Sequence, residues 1–220
     1  MDWKPEVVFE HLPFLLAGIE ITVSVSLLSM AIGLVMGLGL AVARMSRVRV
    51  LWVAASLYID LFRSTPLLIQ LVWIFFALPI LTGISFTPFI ASVLSLSLYT
   101  GAYLAEIYRA GILSVATGQR FAGLALGMTE AQALWRVVLP QAVTRMLPPI
   151  GSQFIILFKD SALVSLIGLQ DLMWQGQSLA AFTMRTIEVL TGVAIIYMLL
   201  TIPQALLVNY LHDRYSPHRE

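Results

Sequence analysis

The sequence predicts an all-α fold: a polytopic membrane protein with five transmembrane helices and a helical cytoplasmic segment between the third and the fourth. Three observations predict it. Hydrophobic residues fill 59% of the 220 positions and charged residues only 11%, with a mean hydropathy of +0.90. A soluble domain carries about 25% charge, so too little polar surface is left here to coat a globule. Apolar stretches of bilayer length, about 20 residues, recur along the chain. Arginines, finally, gather in alternate connections between those stretches. One membrane domain over residues 1–220 accounts for the length.

The opening stretch MDWKPEVVFEHLPF sets Asp2, Glu6 and Glu10 against a single lysine. That is the wrong charge for the first part of a cleaved signal peptide, so the first helix is expected to stay. It covers about residues 18–43, with Ile21 to Ala43 free of charge. Gly33 and Gly37 form a small-xxx-small pattern in it, which serves either packing inside the subunit or close approach of a second helix. Ser64 to Ala105 is also uncharged but is twice too long for one crossing. Pro79, Gly83 and Pro88 break it, giving spans at about 62–79 and 87–110. The run Arg63-Ser64-Thr65-Pro66 reads as a helix start, where the missing proline amide does no harm. The fourth span, about 146–169, is interrupted by Lys159 and Asp160. The fifth, about 188–211, contains Pro203, which predicts a kink.

Basic residues orient the chain. Arg44, Arg47, Arg49 and Arg63 follow the first span, Arg109, Arg120, Arg136 and Arg145 separate the third from the fourth, and Arg214 and Arg219 follow the fifth. The opposite side holds only Lys4 and Arg185. This bias places the N-terminus outside, and the C-terminus and the segment of about residues 113–145 in the cytoplasm.

That segment, GQRFAGLALGMTEAQALWRVVLPQA from Gly118 to Ala142, is too interrupted to cross a bilayer. Thr129 and Gln132 form a capping box that starts a helix at Glu130. Ala131, Leu134, Trp135 and Val138 line one face of that helix, and Pro140 is expected to stop it. Phe121, Ala122, Leu124, Ala125 and Leu126 make a second short apolar helix ahead of Gly127. Such a pair either packs on the inner end of its own bundle or receives a soluble partner.

Several functions are excluded by what the sequence lacks. A net charge of +1 offers no bulk attraction for nucleic acid. Without cysteine there is no disulfide, thiolate metal site or cysteine nucleophile. No Gly-x-x-x-x-Gly-Lys-Ser/Thr loop occurs, so the chain binds no nucleotide in that way. Its histidines, His11, His212 and His218, stand near the ends, which argues against a serine–histidine hydrolase at membrane depth. No cofactor or metal is called for, and the expectation is a subunit without catalytic activity.

Four stretches in order, FRSTPLLIQ (62–70), YLAEIYRAGI (103–112), VVLPQA (137–142) and KDSAL (159–163), resemble the permease subunits of ATP-binding-cassette importers, in the polar amino acid uptake branch. The resemblance implies that the 113–145 segment contains the coupling helix, seated in a cleft of a separate ATPase. On the family's pattern its contact residues are Phe121, Ala122, Gly123, Gly127, Leu139 and Pro140, with Phe121 where the family carries glutamate. The implied setting is the bacterial plasma (inner) membrane. The implied partners are ATPase subunits, a second permease subunit (a copy or a relative) and an extracytoplasmic amino-acid-binding protein. The competing class is an ion-coupled secondary transporter or channel subunit. No inverted repeat or filter-like loop is visible to favour it.

Charges within spans mark candidate pathway residues, since each costs roughly 2.5–3.5 kcal/mol near the bilayer centre. Lys159 and Asp160, with Gln153 and Ser161 nearby, are of this kind. They either pair to fix a kink or line a translocation pathway, where Asp160 suits an ammonium group. Glu106 and Arg109, one turn apart, form an expected i,i+3 pair at the end of the third span, with a gating role as the alternative.

Overall fold

The computed structural model describes residues 3–215; Asp2, His218 and Arg219 lie outside the described residues. A short helix α1 (Glu6–Glu10) leads into the long α2 (Leu12–Arg44). Then come α3 (Arg49–Ser64), α4 (Leu67–Thr82), α5 (Pro88–Leu113) and α6 (Thr117–Ala125). The chain closes with α7 (Glu130–Ile167), α8 (Leu172–Thr183) and α9 (Thr186–Tyr215). Among the described residues four helices, α2, α5, α7 and α9, are long and apolar enough to cross a membrane; α3 and α4 together make a fifth candidate, bent by 106°.

Two connections differ from the sequence expectation. Arg49–Ser64, read as a loop running into a span at 62, is a helix of its own. Thr65 before Pro66 is driven to extended backbone (φ −105°, ψ 138°), which ends α3 and sets the bend. Gln70 holds the corner: its Nε2 donates to the carbonyls of Phe62 (2.9 Å) and Thr65 (3.0 Å) and to Thr65 Oγ1 (2.8 Å). The 170–187 connection, expected to be a loop, carries α8, capped by Asp171.

Pro140 does not stop its helix. The amide of Leu139 reaches back to the Leu134 carbonyl, a π-turn over Leu134–Val138, and α7 continues through the proline into the membrane-length segment. The widened turn moves the preceding carbonyl out of the path of the pyrrolidine ring, the clash that usually breaks a helix. The same device occurs in α4, where a π-turn over Trp73–Ala77 precedes Pro79.

The α2–α5 crossing is the most extensive contact of the bundle, and a close one. A Cβ on Gly37 would meet Leu104 Cβ at 2.7 Å and the Gly101 carbonyl at 3.0 Å, and one on Gly33 would meet Thr100 at 3.0 Å. The small-xxx-small pattern therefore serves packing inside the subunit. The main core lies beside it, with Val25, Leu71, Ile74, Leu96, Leu104, Leu157 and Val164 buried together. A second cluster joins Leu15, Leu172, Leu179, Val189 and Val193, binding α8 to α2 and α9.

Candidate functional site

Residues singled out in the sequence fall into two groups, one at the arginine-rich end of the bundle and one along α7. At the arginine-rich end, α6 and the start of α7 form a helical corner. Gly127 makes the turn at φ +82°, a backbone conformation that L side chains rarely adopt. Thr129 and Gln132 close the reciprocal capping box behind it. Gly123 is buried against Ala133 and Val137, so the two helices touch through a small residue. Arg120 Nε donates to Glu130 Oε2 at 2.8 Å and pins them further. Phe121 and Ala122 face outward, and Leu126 and Trp135 remain 81% and 70% exposed. Leu139 is half-buried and Pro140 exposed, just beyond the π-turn. The corner thus offers a rigid apolar projection, with the family-pattern residues divided between its buried hinge and its outer skin.

Along α7, Gln153 and Ser161 are buried, Asp160 is half-buried and Lys159 exposed. Consecutive residues on a helix point about 100° apart, and among the described residues Lys159 and Asp160 make no ion pair with each other. Ser161 Oγ is spent on the Phe158 carbonyl at 2.7 Å. Gln153 Nε2 is buried without a hydrogen-bond partner among the described residues. Asp160 lies within electrostatic reach of Tyr99 on α5.

Glu106 stands apart from this group, seven residues or about 10 Å further along α5 than Tyr99. Its carboxylate gathers three arginines from three helices. Arg109 Nη2 donates to it at 2.8 Å, Arg44 Nη1 lies at 3.1 Å and Arg63 Nη1 at 3.7 Å. The i,i+3 pair read from the sequence is one edge of this cluster. The two groups connect through aromatic rings: Tyr99 and Tyr103 lie 4.7 Å apart, and the Arg63 guanidinium sits 5.3 Å over Tyr103. Beside Arg63, Tyr103 and Glu106 opens a cavity of about 570 Å³, also lined by Ser114, Arg145 and Pro149.

Sequence reasoning missed Asp171. It is fully buried in the connection between α7 and α8, accepts from the Trp174 amide at 2.9 Å and receives the Tyr197 hydroxyl at 3.3 Å. Burial pushes its carboxyl up to about 6, with the amide and hydroxyl bonds opposing. Leu172 N donates to Thr22 Oγ1 at 3.1 Å beside it, and Gly18 leaves room for that backbone to approach α2. An aspartate directly before an apolar helix was the only sequence signal.

Comparison with known proteins places this architecture. The glutamine transport system permease protein of Escherichia coli (strain K12) is 37% identical over 217 residues, covering 97% of each chain. The L-cystine transport system permease protein of Bacillus subtilis (strain 168) is 40% identical, covering 92% of this chain and 86% of its own. The arginine transport system permease protein of the same organism is 38% identical, covering 87% and 88%. The structure of an amino acid ABC transporter with histidines superposes with a TM-score of 0.93 at 36% identity, over 97% of this chain and all of the other. The MetNI methionine ABC transporter, at 23% identity and a TM-score of 0.69 over 92% and 98% of the chains, shares the fold. Residues 16–218 match the family described as binding-protein-dependent transport system inner membrane component, and the chain belongs to that family.

Proposed function

We propose that the chain is the translocating subunit of an ATP-driven importer of amino acids, with its pathway running beside α5 and α7. The observation that carries this reading is the polar ladder. It leads from Asp160 through Tyr99, Tyr103 and Arg63 to the cavity beside Glu106. A lipid-facing surface has no use for such groups, each costly at membrane depth, whereas a zwitterionic solute needs both signs of charge. Asp160 suits an ammonium group and Lys159 a carboxylate, with Gln153 and Ser161 on the same helix. The relatives named for glutamine, cystine and arginine support the substrate class.

In this reading the α6–α7 corner is the coupling helix, on which an ATPase subunit bears through Phe121, Ala122 and Leu139-Pro140, with Gly123 and Gly127 setting its shape. A second permease subunit completes the membrane part, and an extracytoplasmic binding protein delivers the solute. The arginine bias puts the corner in the cytoplasm and the N-terminus outside.

The test uses the natural absence of cysteine. Arg136→Cys, beside the exposed Trp135, is labelled in intact cells in the presence and absence of co-expressed ATPase. Labelling by a permeant thiol reagent alone, with protection when the ATPase is bound, is expected. Labelling from outside by an impermeant reagent overturns the orientation, and absence of protection overturns the docking role.

A further inference from the structure

Helix α3 lies across the bundle rather than along it. Its start is tied to the end of α2 by the short link 45–48, yet Asp60, eleven residues on, still reaches Arg44 of α2 at 3.4 Å. Ile59 packs with Ala41 and Ala105, close to the ends of α2 and α5. A helix running back antiparallel to α2 would by then have climbed about 16 Å away from Arg44. So α3 stays at the arginine-rich end, near the level where hydrocarbon gives way to headgroups. Ala55, Ser56 and Ile59 turn inward. Val50, Val53 and Leu57 turn outward, Val50 and Leu57 being 75% and 67% exposed, and Trp52, 48% exposed, stands near the start of the helix. Indole rings favour that boundary. Arg47 and Arg49 stand at the start of the same helix, exposed, and among the described residues neither makes an ion pair. Asp60, the acid of α3, is held at the other end of the helix by Arg44.

We propose that α3 is an in-plane anchor whose outward face enters the acyl boundary and whose Arg47 and Arg49 collect anionic phospholipid headgroups. The chemistry is that of interfacial amphipathic helices: an apolar stripe sunk at headgroup level, with cations at its margin that find lipid phosphates. The charges are complementary, since among the described residues these two arginines pair with no carboxylate while Arg44, Arg63 and Arg109 converge on Glu106. Each cation near a surface of this kind contributes about 1 kcal/mol, or roughly fivefold in local preference for anionic over neutral lipid. Two arginines acting together give an upper bound of about thirtyfold.

The experiment places single cysteines at Val53→Cys and, as a distant lipid-facing reference on α9, at Ile195→Cys, in the full chain reconstituted with its partner subunits. Each is labelled with bimane and quenched by brominated phosphatidylglycerol or brominated phosphatidylcholine in otherwise matched vesicles. The ratio of quenching by the two lipids at position 53 is expected to exceed that at 195 by at least about fivefold. It should collapse to the reference value in Arg47→Gln/Arg49→Gln and shrink with added salt. Equal ratios at both positions overturn the proposal, as does a preference that survives the double substitution. Absence of quenching by either lipid at position 53 means that a protein, such as a second permease subunit, covers α3, and overturns it equally.

Discussion

Arg44, in the last turn of α2, meets Glu106 of α5 at 3.1 Å, and that contact is one arm of a three-arginine cluster on a single carboxylate. Removing the carboxylate leaves three guanidiniums facing one another, with Asp60, on Arg44, the one carboxylate still paired to them among the described residues. Glu106→Gln is expected to destabilise the protein by about 2 kcal/mol, below the 3–5 kcal/mol of a fully buried pair because the Glu106 side chain is 17% accessible. Thermal unfolding in detergent measures this. A variant as stable as the parent would show that the cluster is solvated and energetically idle.

Gly127 turns the α6–α7 corner at φ +82° with open space around its α-carbon. Gly127→Val therefore meets no clash, only the backbone penalty of the left-handed region, about 1–2 kcal/mol, higher for a β-branched residue. The corner should reshape while the membrane helices assemble normally. Uptake driven by ATP is expected to fall at least tenfold at unchanged membrane abundance, measured in vesicles loaded with the complex. Full uptake in this variant would remove the corner from the coupling path.

Asp160→Asn separates two roles for that carboxylate. Lost attraction to a cationic group of the solute costs about 1.5–3 kcal/mol, a fall of roughly 10- to 150-fold in apparent affinity. Because among the described residues Lys159 makes no ion pair with Asp160, the change should leave assembly intact. Adding Lys159→Met should not restore a lost function. If instead Asp160→Asn depletes the complex and the double variant rescues it, the carboxylate is structural.

Asp171 carries a pH dependence. Its folded pKa of about 6 lies above the ordinary 3.8, so the native state holds this proton more tightly than the unfolded chain does. Stability from this group is therefore fully present below about pH 4, is lost as pH rises towards 6, and is level above that. Two units correspond to about 3 kcal/mol. Melting in detergent should accordingly show a higher midpoint at pH 5 than at pH 7.5, a difference abolished in Asp171→Asn. A midpoint indifferent to pH in the parent protein contradicts the burial of this carboxyl.

Much of this architecture was legible because bilayer burial writes long apolar runs, and those of α2, α5, α7 and α9 are plain in the sequence. Local chemistry was legible too: the Thr129–Gln132 capping box and the Glu106–Arg109 pair need only a spacing of three. Helix α3 was hidden because arginines at its start and Asp60 near its end break an apolar run without breaking a helix. Pro140 misled for a subtler reason. The rule that proline ends a helix assumes an ordinary α-turn before it, and the π-turn at Leu134–Val138 removes the assumption. What no spacing could reveal is convergence. Arg44 and Arg63 arrive at Glu106 from other helices, and Tyr197 arrives at Asp171 from α9.

The Gln70 corner fixes a length as well as an angle. Beyond the bend, α4 has the 16 residues of Leu67–Thr82, about 24 Å of helix against a hydrocarbon layer of about 30 Å. This part of the molecule is mismatched to its solvent. The bilayer beside α4 must thin, or α3 must sink until its outward face makes up the difference. Membrane thickness is thereby a mechanical load on the Thr65–Pro66 hinge, where Gln70 Nε2 holds three oxygens at once. Thicker lipids pull on that hinge and thinner ones relax it, at fractions of a kcal/mol per ångström.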